Sequence, residues 1–276
     1  MPYPDHLQEK VEQTWRSPDP SVLARLRETQ FVAHNLPLTQ GECTRPGEPL
    51  ISESPRTIAI HESLQRFAGG DLAGKTALDL GCLEGGLSFE LRRAGLDVLG
   101  VEGRAENYEK CLLIRAHYAA LGGMEFVHSD VRVFQPKRAF DVVVCSGLLY
   151  HLDDPAAYIA ELARLTKPGG MLYLDTHVAP EDVDLPGCEF APFLSELKTA
   201  AVDRIRIRYR EYSENVALPE SSIDNRFSVW MDTASHLEVM FEAGFTRIFE
   251  LHGYFGPGEQ ALKRKYCRKY FVALKA

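Results

Sequence analysis

No run in the 276-residue chain approaches the roughly 18 consecutive apolar residues that a helix needs to cross a bilayer, so no membrane span is expected. The opening MPYPDHLQEK is polar and acidic, which reads against a secretory leader. Internal repeats and low-complexity tracts are missing. Cysteine is sparse, and its six occurrences (Cys43, Cys82, Cys111, Cys145, Cys188, Cys267) include no C-x-x-C pair. They read as reduced thiols filling apolar space, hence a cytoplasmic protein. Basic residues are outnumbered, 31 against 39 acidic, for a net charge of -8. That argues against a broad nucleic-acid surface, which would be basic, and leaves room only for a local patch. A hydrophobic share of 45% and a charged share of 25% are ordinary for a soluble protein. The length suffices for one core domain with an elaboration.

What is present is concentrated in residues 76–103, TALDLGCLEGGLSFELRRAGLDVLGVEG. Thr76 to Leu80 has strand character, and Gly81, Gly85 and Gly86 form a tight turn. Leu87, Leu91 and Ala94 then share one face of a helix, and Asp97 to Gly103 returns as a second strand. In such sheets ligands sit beyond the carboxyl ends of the strands, where Asp79 and Glu102 fall. A glycine turn lets a ligand approach the backbone, and the helix start is expected to offer it free N–H groups. Glu102, 21 residues beyond Gly81, can accept both hydroxyl protons of a ribose. The site is therefore expected to hold a ribosylated ligand, either a dinucleotide or S-adenosylmethionine. Leu83 stands where a dinucleotide motif needs its second glycine.

This series resembles the class I S-adenosylmethionine-dependent methyltransferases. Asp79-Leu80-Gly81-Cys82-Leu83-Glu84-Gly85 matches their first motif apart from Leu83. Glu102 matches the acid after the second strand, Asp130 in MEFVHSDV the acid after the third, and Phe140-Asp141-Val142-Val143 the fourth strand. Lys167-Pro168-Gly169-Gly170 matches the turn before the fifth. The resemblance implies a Rossmann-like seven-stranded α/β sheet with helices on both faces and an antiparallel last strand. It implies S-adenosylmethionine as cofactor, held at Asp79, Gly81, Cys82, Gly85, Glu102, Gly103, Asp130, Val131 and Ser146. Asp130 is expected to face the adenine amino group; the bland alternative is a helix N-cap or a turn acid.

Around this core the chain divides into an N-terminal cap (1–54), a cofactor-binding core (55–177), a substrate lid insertion (178–230) and the end of the core (231–276). The cap is expected as two helices, Asp5 to Trp15 and Ser21 to Thr29, then an extended stretch over 31–38; the helices are candidates both for capping the cofactor cleft and for homodimer contacts. Ser54-Pro55 starts a further helix carrying His61 and Glu62, read as a solvated face in preference to a ligand lip. In the insertion, Arg204 to Arg210 alternates basic and apolar residues, the pattern of a strand with one basic face. That face would either recognise an anionic group or stay solvated at a sheet edge. A second basic cluster comprises Lys263, Arg264, Lys265, Arg268 and Lys269.

Methyl transfer needs a positioned nucleophile and a base with a pKa near the working pH. His151, in Ser146-Gly147-Leu148-Leu149-Tyr150-His151, and His177 both follow strands that open on the cleft, and His151 is the preferred base. Asp153, Asp154, Asp175 and His177 could supply Mg²⁺ ligands, but no tight ligand spacing supports a metal. The expected activity is O-methylation of a hydroxylated small molecule, a natural product or sugar. One alternative is an RNA-modifying transferase, because G-x-L-Y-H-x-x-x-P resembles the tRNA wobble-uridine carboxymethyl-transfer branch. Another is a cofactor-binding protein without catalysis. The N-P-P-Y string of some amino-group methyltransferases is missing after the fourth strand, where Ser146-Gly147-Leu148-Leu149 stands.

Overall fold

Local signals start the helices where capping chemistry allows. In this computed structural model, which describes residues 3–199, 205–211, 222–225, 227–252, 265 and 267–276, α1 runs Asp5–Arg16 and turns Leu7, Val11 and Thr14 inward. Helix α2, Pro20–Glu28, is capped by Asp19, whose carboxylate accepts the N–H groups of Ser21 and Val22. Residues 31–38, expected as an extended stretch, form no strand and make only an isolated bridge, Pro37 with Cys43. Helix α3, Pro55–Phe67, begins as expected with Ser54 as cap and proline in the first turn.

The solvated reading of α3 is corrected. Its His61 is buried, with Nε2 3.9 Å from Glu90 and the Tyr3 ring edge-on at 5.4 Å. Tyr3 donates its hydroxyl to Glu90, and Arg93 lies over the Tyr3 ring. The histidine is thus part of a buried polar cluster that no sequence periodicity announces.

Two compact units follow one another, the first ending at Gln135 and the second beginning at Pro136. The first holds parallel strands β1 (Thr76–Leu80), β2 (Asp97–Glu102) and β3 (Met124–His128). Helices α4 (Gly86–Arg93) and α5 (Ala105–His117) connect them. The second holds β4 (Phe140–Ser146), α6 (Pro155–Leu165) and β5 (Thr166–His177). Strand β5 starts earlier than the turn at Lys167–Gly170 suggested. Thr166 pairs with Phe140 and Met171 with Val142, so 167–170 bulge out of a continuous strand.

After β5 comes a small antiparallel sheet of β6 (Lys198–Thr199), β7 (Arg206–Glu211) and β8 (Phe227–Met231). Helix α7 (Thr233–Glu242), β9 (Phe245–Glu250) and β10 (Arg268–Lys275) complete the unit. The order in the seven-stranded sheet is β3-β2-β1-β4-β5-β10-β9. Strand β10 runs antiparallel to its neighbours, β5 and β9, as expected for the last strand.

The basic face expected at 204–210 is also corrected; Arg204 itself lies outside the described residues. Strand β7 is the middle strand of its sheet, not an edge. Arg208 is 1% exposed and donates to the carbonyls of Pro180 and Ser195 and to Asp182. Arg206 forks onto Glu181. These cations fasten the 180–195 loop to the small sheet. Of the second basic cluster, Lys263 and Arg264 lie outside the described residues. Lys265 pairs with Glu189, Arg268 with Asp175 and Lys269 with Glu250.

Candidate active site

In the first unit the glycine turn after β1 is built by φ values that side chains resist. Gly81 and Gly85 stand at +66° and +78°, and Leu83 shares the left-handed region at +54°. Beneath the turn, Asp79 is buried and accepts the Ser88 hydroxyl at 2.6 Å, tying β1 to the first turn of α4. Burial, with Glu102 nearby adding to it, raises the Asp79 carboxyl to about 6. Glu102 closes β2. Its carboxylate takes the N–H groups of Leu83 and Arg104, each at 2.8 Å. Burial raises its pKa against the pull of these bonds and of Asn107.

The free helix N-terminus expected here is not what the turn presents. The N–H of Gly86 donates to His34 Nδ1 at 3.0 Å. Added to Gly86, a Cβ would come within 2.7 Å of the His34 ring. Burial lowers the His34 pKa to about 4, which keeps the ring neutral and able to accept. Glu84, inside the glycine motif and fully buried, accepts the N–H groups of Val32, Ala33 and His34 and pairs with Lys110 at 3.1 Å. Burial pushes its pKa up, yet the three N–H bonds outweigh that and hold it below the ordinary glutamate value. Residues 31–36 therefore form a strap clamped onto the turn. A cavity of about 320 Å³ lies between strap, turn and the start of α3, bordered by His34, Asn35, Arg56 and Leu83.

After β3, Asp130 accepts the backbone N–H and the guanidinium of Arg132, an ion pair within the turn that holds its pKa below the usual carboxylate range. Val131 is buried beside it. The thiol of Cys82 lies 3.8 Å from that of Cys111, and none of the six cysteines is in a disulfide. In this unit, Asp79, Gly81, Cys82, Gly85, Glu102 and Gly103 gather around the turn and the end of β2. Glu102 stands in register with His128 at the end of β3, and His128 Nε2 meets the Gly103 carbonyl.

The second unit gathers the other chemistry at the ends of β4 and β5. Ser146 donates to Asp175 at 3.0 Å, and Asp175 is fully buried and gripped by Arg268 through Nε and Nη2. Tyr150 lies 5.9 Å under the Arg268 guanidinium. His177 is buried and stacks on Trp230, centroids 4.4 Å apart at 5°, with Tyr150 and Phe190 edge-on. His151 ends a 3-10 turn, Leu149–His151, and is half-buried, its ring tilted against Tyr150 at 4.2 Å. The carbonyl of His151 accepts from Asn225 Nδ2 and Ser222 Oγ, and the carbonyl of Tyr150 from Ser228 Oγ. Ser228 also takes the Trp230 indole N–H at 2.6 Å. A larger cavity, about 860 Å³, is lined by Val178, Glu181, Asp232, Leu237 and Arg268; neither histidine is among its described walls.

Sequence reasoning missed Glu84, His34, Trp230 and Ser228. Glu84 alone carried a signal, an acid inside a motif position that faces no solvent. Of the four Mg²⁺ candidates, Asp154 caps α6 and Asp175 is held by Arg268. Among the described residues no group of three or more His, Cys, Asp or Glu is placed to hold a metal ion.

The methyltransferase-domain family model matches residues 53–254. The chain belongs to the class I S-adenosylmethionine-dependent methyltransferases. A ubiquinone biosynthesis O-methyltransferase of Psychrobacter cryohalolentis is 34% identical to this methyltransferase over 128 residues, 46% of this chain and 50% of the relative. A tRNA U34 carboxymethyltransferase of Alteromonas mediterranea is 28% identical over 199 residues, 67% and 59% of the two chains. The chain thus spans about half the length of these curated relatives. Among solved structures, the N-terminal domain of EvdMO1 with SAH and D-fucose aligns with a TM-score of 0.69 at 23% identity, covering 93% of this chain and 96% of that one. At that identity the likeness is one of fold. The cofactor class of the family fits the residues in place, a buried acid at Glu102 aimed by two backbone N–H groups beside a left-handed glycine turn.

Proposed function

We propose that this methyltransferase is an O-methyltransferase of hydroxylated small molecules, with His151 as general base. The carrying observation is the contrast between the two histidines. His177 is buried among Trp230, Tyr150 and Phe190, whereas His151 is only half-buried, on a turn whose carbonyls are pinned by Asn225, Ser222 and Ser228. S-adenosylmethionine supplies a methyl group already activated on a sulfonium. The chain's own task is then to orient the acceptor hydroxyl and take its proton, which suits a partly hydrated imidazole. Asp79, Gly81, Cys82, Gly85, Glu102, Gly103, Asp130, Val131 and Ser146 are proposed to hold the cofactor, with Glu102 on the ribose. Asp130 would reach the adenine by exchanging its local Arg132 partner.

Support for an oxygen acceptor comes from the relative named as a ubiquinone O-methyltransferase. A second reading, alkyl transfer to a tRNA wobble uridine, is supported by the longer overlap with the carboxymethyltransferase. The net charge of -8 and the ion pairing of Arg206, Arg208, Lys265, Arg268 and Lys269 favour the small molecule.

The test is turnover against a panel of phenols, sugars and tRNA, read as S-adenosylhomocysteine release. His151→Ala is expected to lower kcat by about 10²–10⁴-fold with KM little changed, and to remove the acid limb of the pH profile. His177→Phe, which keeps the stack on Trp230, is expected to retain most activity. Equal turnover in His151→Ala and wild type would remove the base assignment. Salt-sensitive tRNA binding with tRNA alkylation would promote the second reading.

A further inference from the structure

The second unit holds a volume that neither the motif series nor the two histidines use. The cavity of about 860 Å³ is bounded by the chain after β5, the start of α7, the end of β9 and the start of β10. Small-molecule pockets run roughly 300–1,000 Å³, so it is large enough for more than a solvent cluster. Its charge is lopsided. Glu181, Asp184, Asp232 and Glu250 stand on the wall against Arg268 and Lys269. Both cations are engaged, Arg268 by Asp175 and Lys269 by Glu250.

Asp232 is the residue that points to a ligand. It is 3% exposed, and its Oδ1 caps α7 by accepting the Ser235 N–H at 2.7 Å. Its Oδ2 is buried and accepts no hydrogen bond. Arg206 Nη1 comes within 3.2 Å of that oxygen but gives its hydrogen bond to Glu181. A buried carboxylate oxygen left in this way is costly until a donor reaches it. Among the described residues no group of acids is placed to hold a metal ion. The apolar part of the wall, Val178, Leu237 and Leu251, suits instead the body of an organic molecule.

Arg268 connects the cavity to the end of β4. Its Nη2 would lie 3.1 Å from a Cβ on Gly147, and the Asp175 that it grips accepts the Ser146 hydroxyl. A molecule in the cavity is thus one side chain away from the turn that leads to His151.

We infer that this cavity seats the non-reacting end of the acceptor and that this end is a protonated amine, held by Asp232 in a charge-assisted hydrogen bond within the negative surroundings of Asp184 and Glu250. The inference rests on the O-methyltransferase reading and narrows its acceptors to hydroxyl compounds that carry an amine, such as aminoalkyl phenols or amino sugars.

The experiment uses the full chain and matched pairs, tyramine with 4-ethylphenol and glucosamine with glucose. Binding is followed by ligand-observed NMR, and turnover as S-adenosylhomocysteine release. Wild-type protein is expected to bind the amine of each pair at least about tenfold tighter, the size of one charge-assisted contact. Asp232→Asn keeps a side chain able to cap α7, so its urea midpoint should stay close to wild type. It should weaken the amines about tenfold and the neutral compounds no more than about twofold. Asp184→Asn, at an exposed position, should give a smaller loss confined to the amines and carries the test if Asp232→Asn does not fold. Equal binding of amine and neutral compounds by the wild type overturns the proposal, as does equal weakening of both by Asp232→Asn or by Asp184→Asn. Amine preference without methyl transfer to any hydroxyl upholds the amine site and removes the O-methyl reading. Methyl transfer without amine preference does the reverse.

Discussion

Glu84 accepts the backbone N–H of His34 at 2.8 Å, and the imidazole of that same His34 accepts the N–H of Gly86, two residues beyond Glu84. The pair locks the N-terminal strap to the glycine turn from both sides. Removing the acid leaves Lys110, 4% exposed in its side chain, without its buried partner and three N–H groups without an acceptor. Breaking a buried ion pair from one side costs about 3–5 kcal/mol. Glu84→Ala is therefore expected to lose about that much stability in urea unfolding, and Glu84→Gln less. Limited proteolysis of the native variant should cut first within 31–36. An unchanged unfolding midpoint and unchanged cleavage would show that the clamp is dispensable.

Two buried groups of this unit respond to pH in opposite directions. His34 has its pKa lowered to about 4 from 6.5, so the unfolded chain binds the extra proton in between. Its contribution is complete above about 6.5 and is lost as pH falls toward 4. Asp79 has its pKa raised to about 6 from 3.8, so the folded chain binds the extra proton. Its ionisation costs stability as pH rises through that window. Asp79→Asn should thus raise stability at pH 7, by about 1–3 kcal/mol, and do little at pH 4. His34→Gln should destabilise at pH 7 and lose most of its effect near pH 4. Urea titrations at both pH values check the two signs; parallel pH dependence in the two variants would contradict them.

Arg208 predicts a fold defect without a binding defect. All three of its guanidinium nitrogens are used inside the protein, two on carbonyls and one on Asp182. Arg208→Ala should cost about 1–3 kcal/mol, because the carbonyls of Pro180 and Ser195 lose their donor while exposed Asp182 is rehydrated, and should lower Tm. At temperatures where it stays folded, its affinity for polyanions such as tRNA or heparin should equal that of the wild type. A flatter salt dependence in the variant would mean that Arg208 meets phosphate after all.

Much of the sheet was legible because its signals are local. Thr76–Leu80, Pro155–Leu165 and the capped start of α3 follow from β-branched runs, proline at the first helical turn and Ser or Asp caps. The glycine turn of the first unit was legible because Gly81, Gly85 and the acid Glu102 sit at fixed offsets along a strand–turn–helix–strand pattern. What the sequence concealed was tertiary. Alternation at 204–210 correctly gave a strand, but alternation cannot say whether a facing layer will bury the polar side, and here the 180–195 loop buries Arg208. His61 was misjudged for the same reason: a helix face is solvated only if nothing packs on it, and Tyr3, Glu90 and Arg93 do, from 58, 29 and 32 residues away along the chain. The Lys167–Gly170 turn was read as a break because glycine and proline usually end a strand, whereas β4 pairing resumes past a bulge.

The turn carrying His151 is held by side chains at 222 and 225 and by Ser228 of β8. Under the proposed role of His151, any exchange of residues 222–228 also shifts the imidazole, so a change in acceptor preference made there is expected to bring a change in catalytic rate with it.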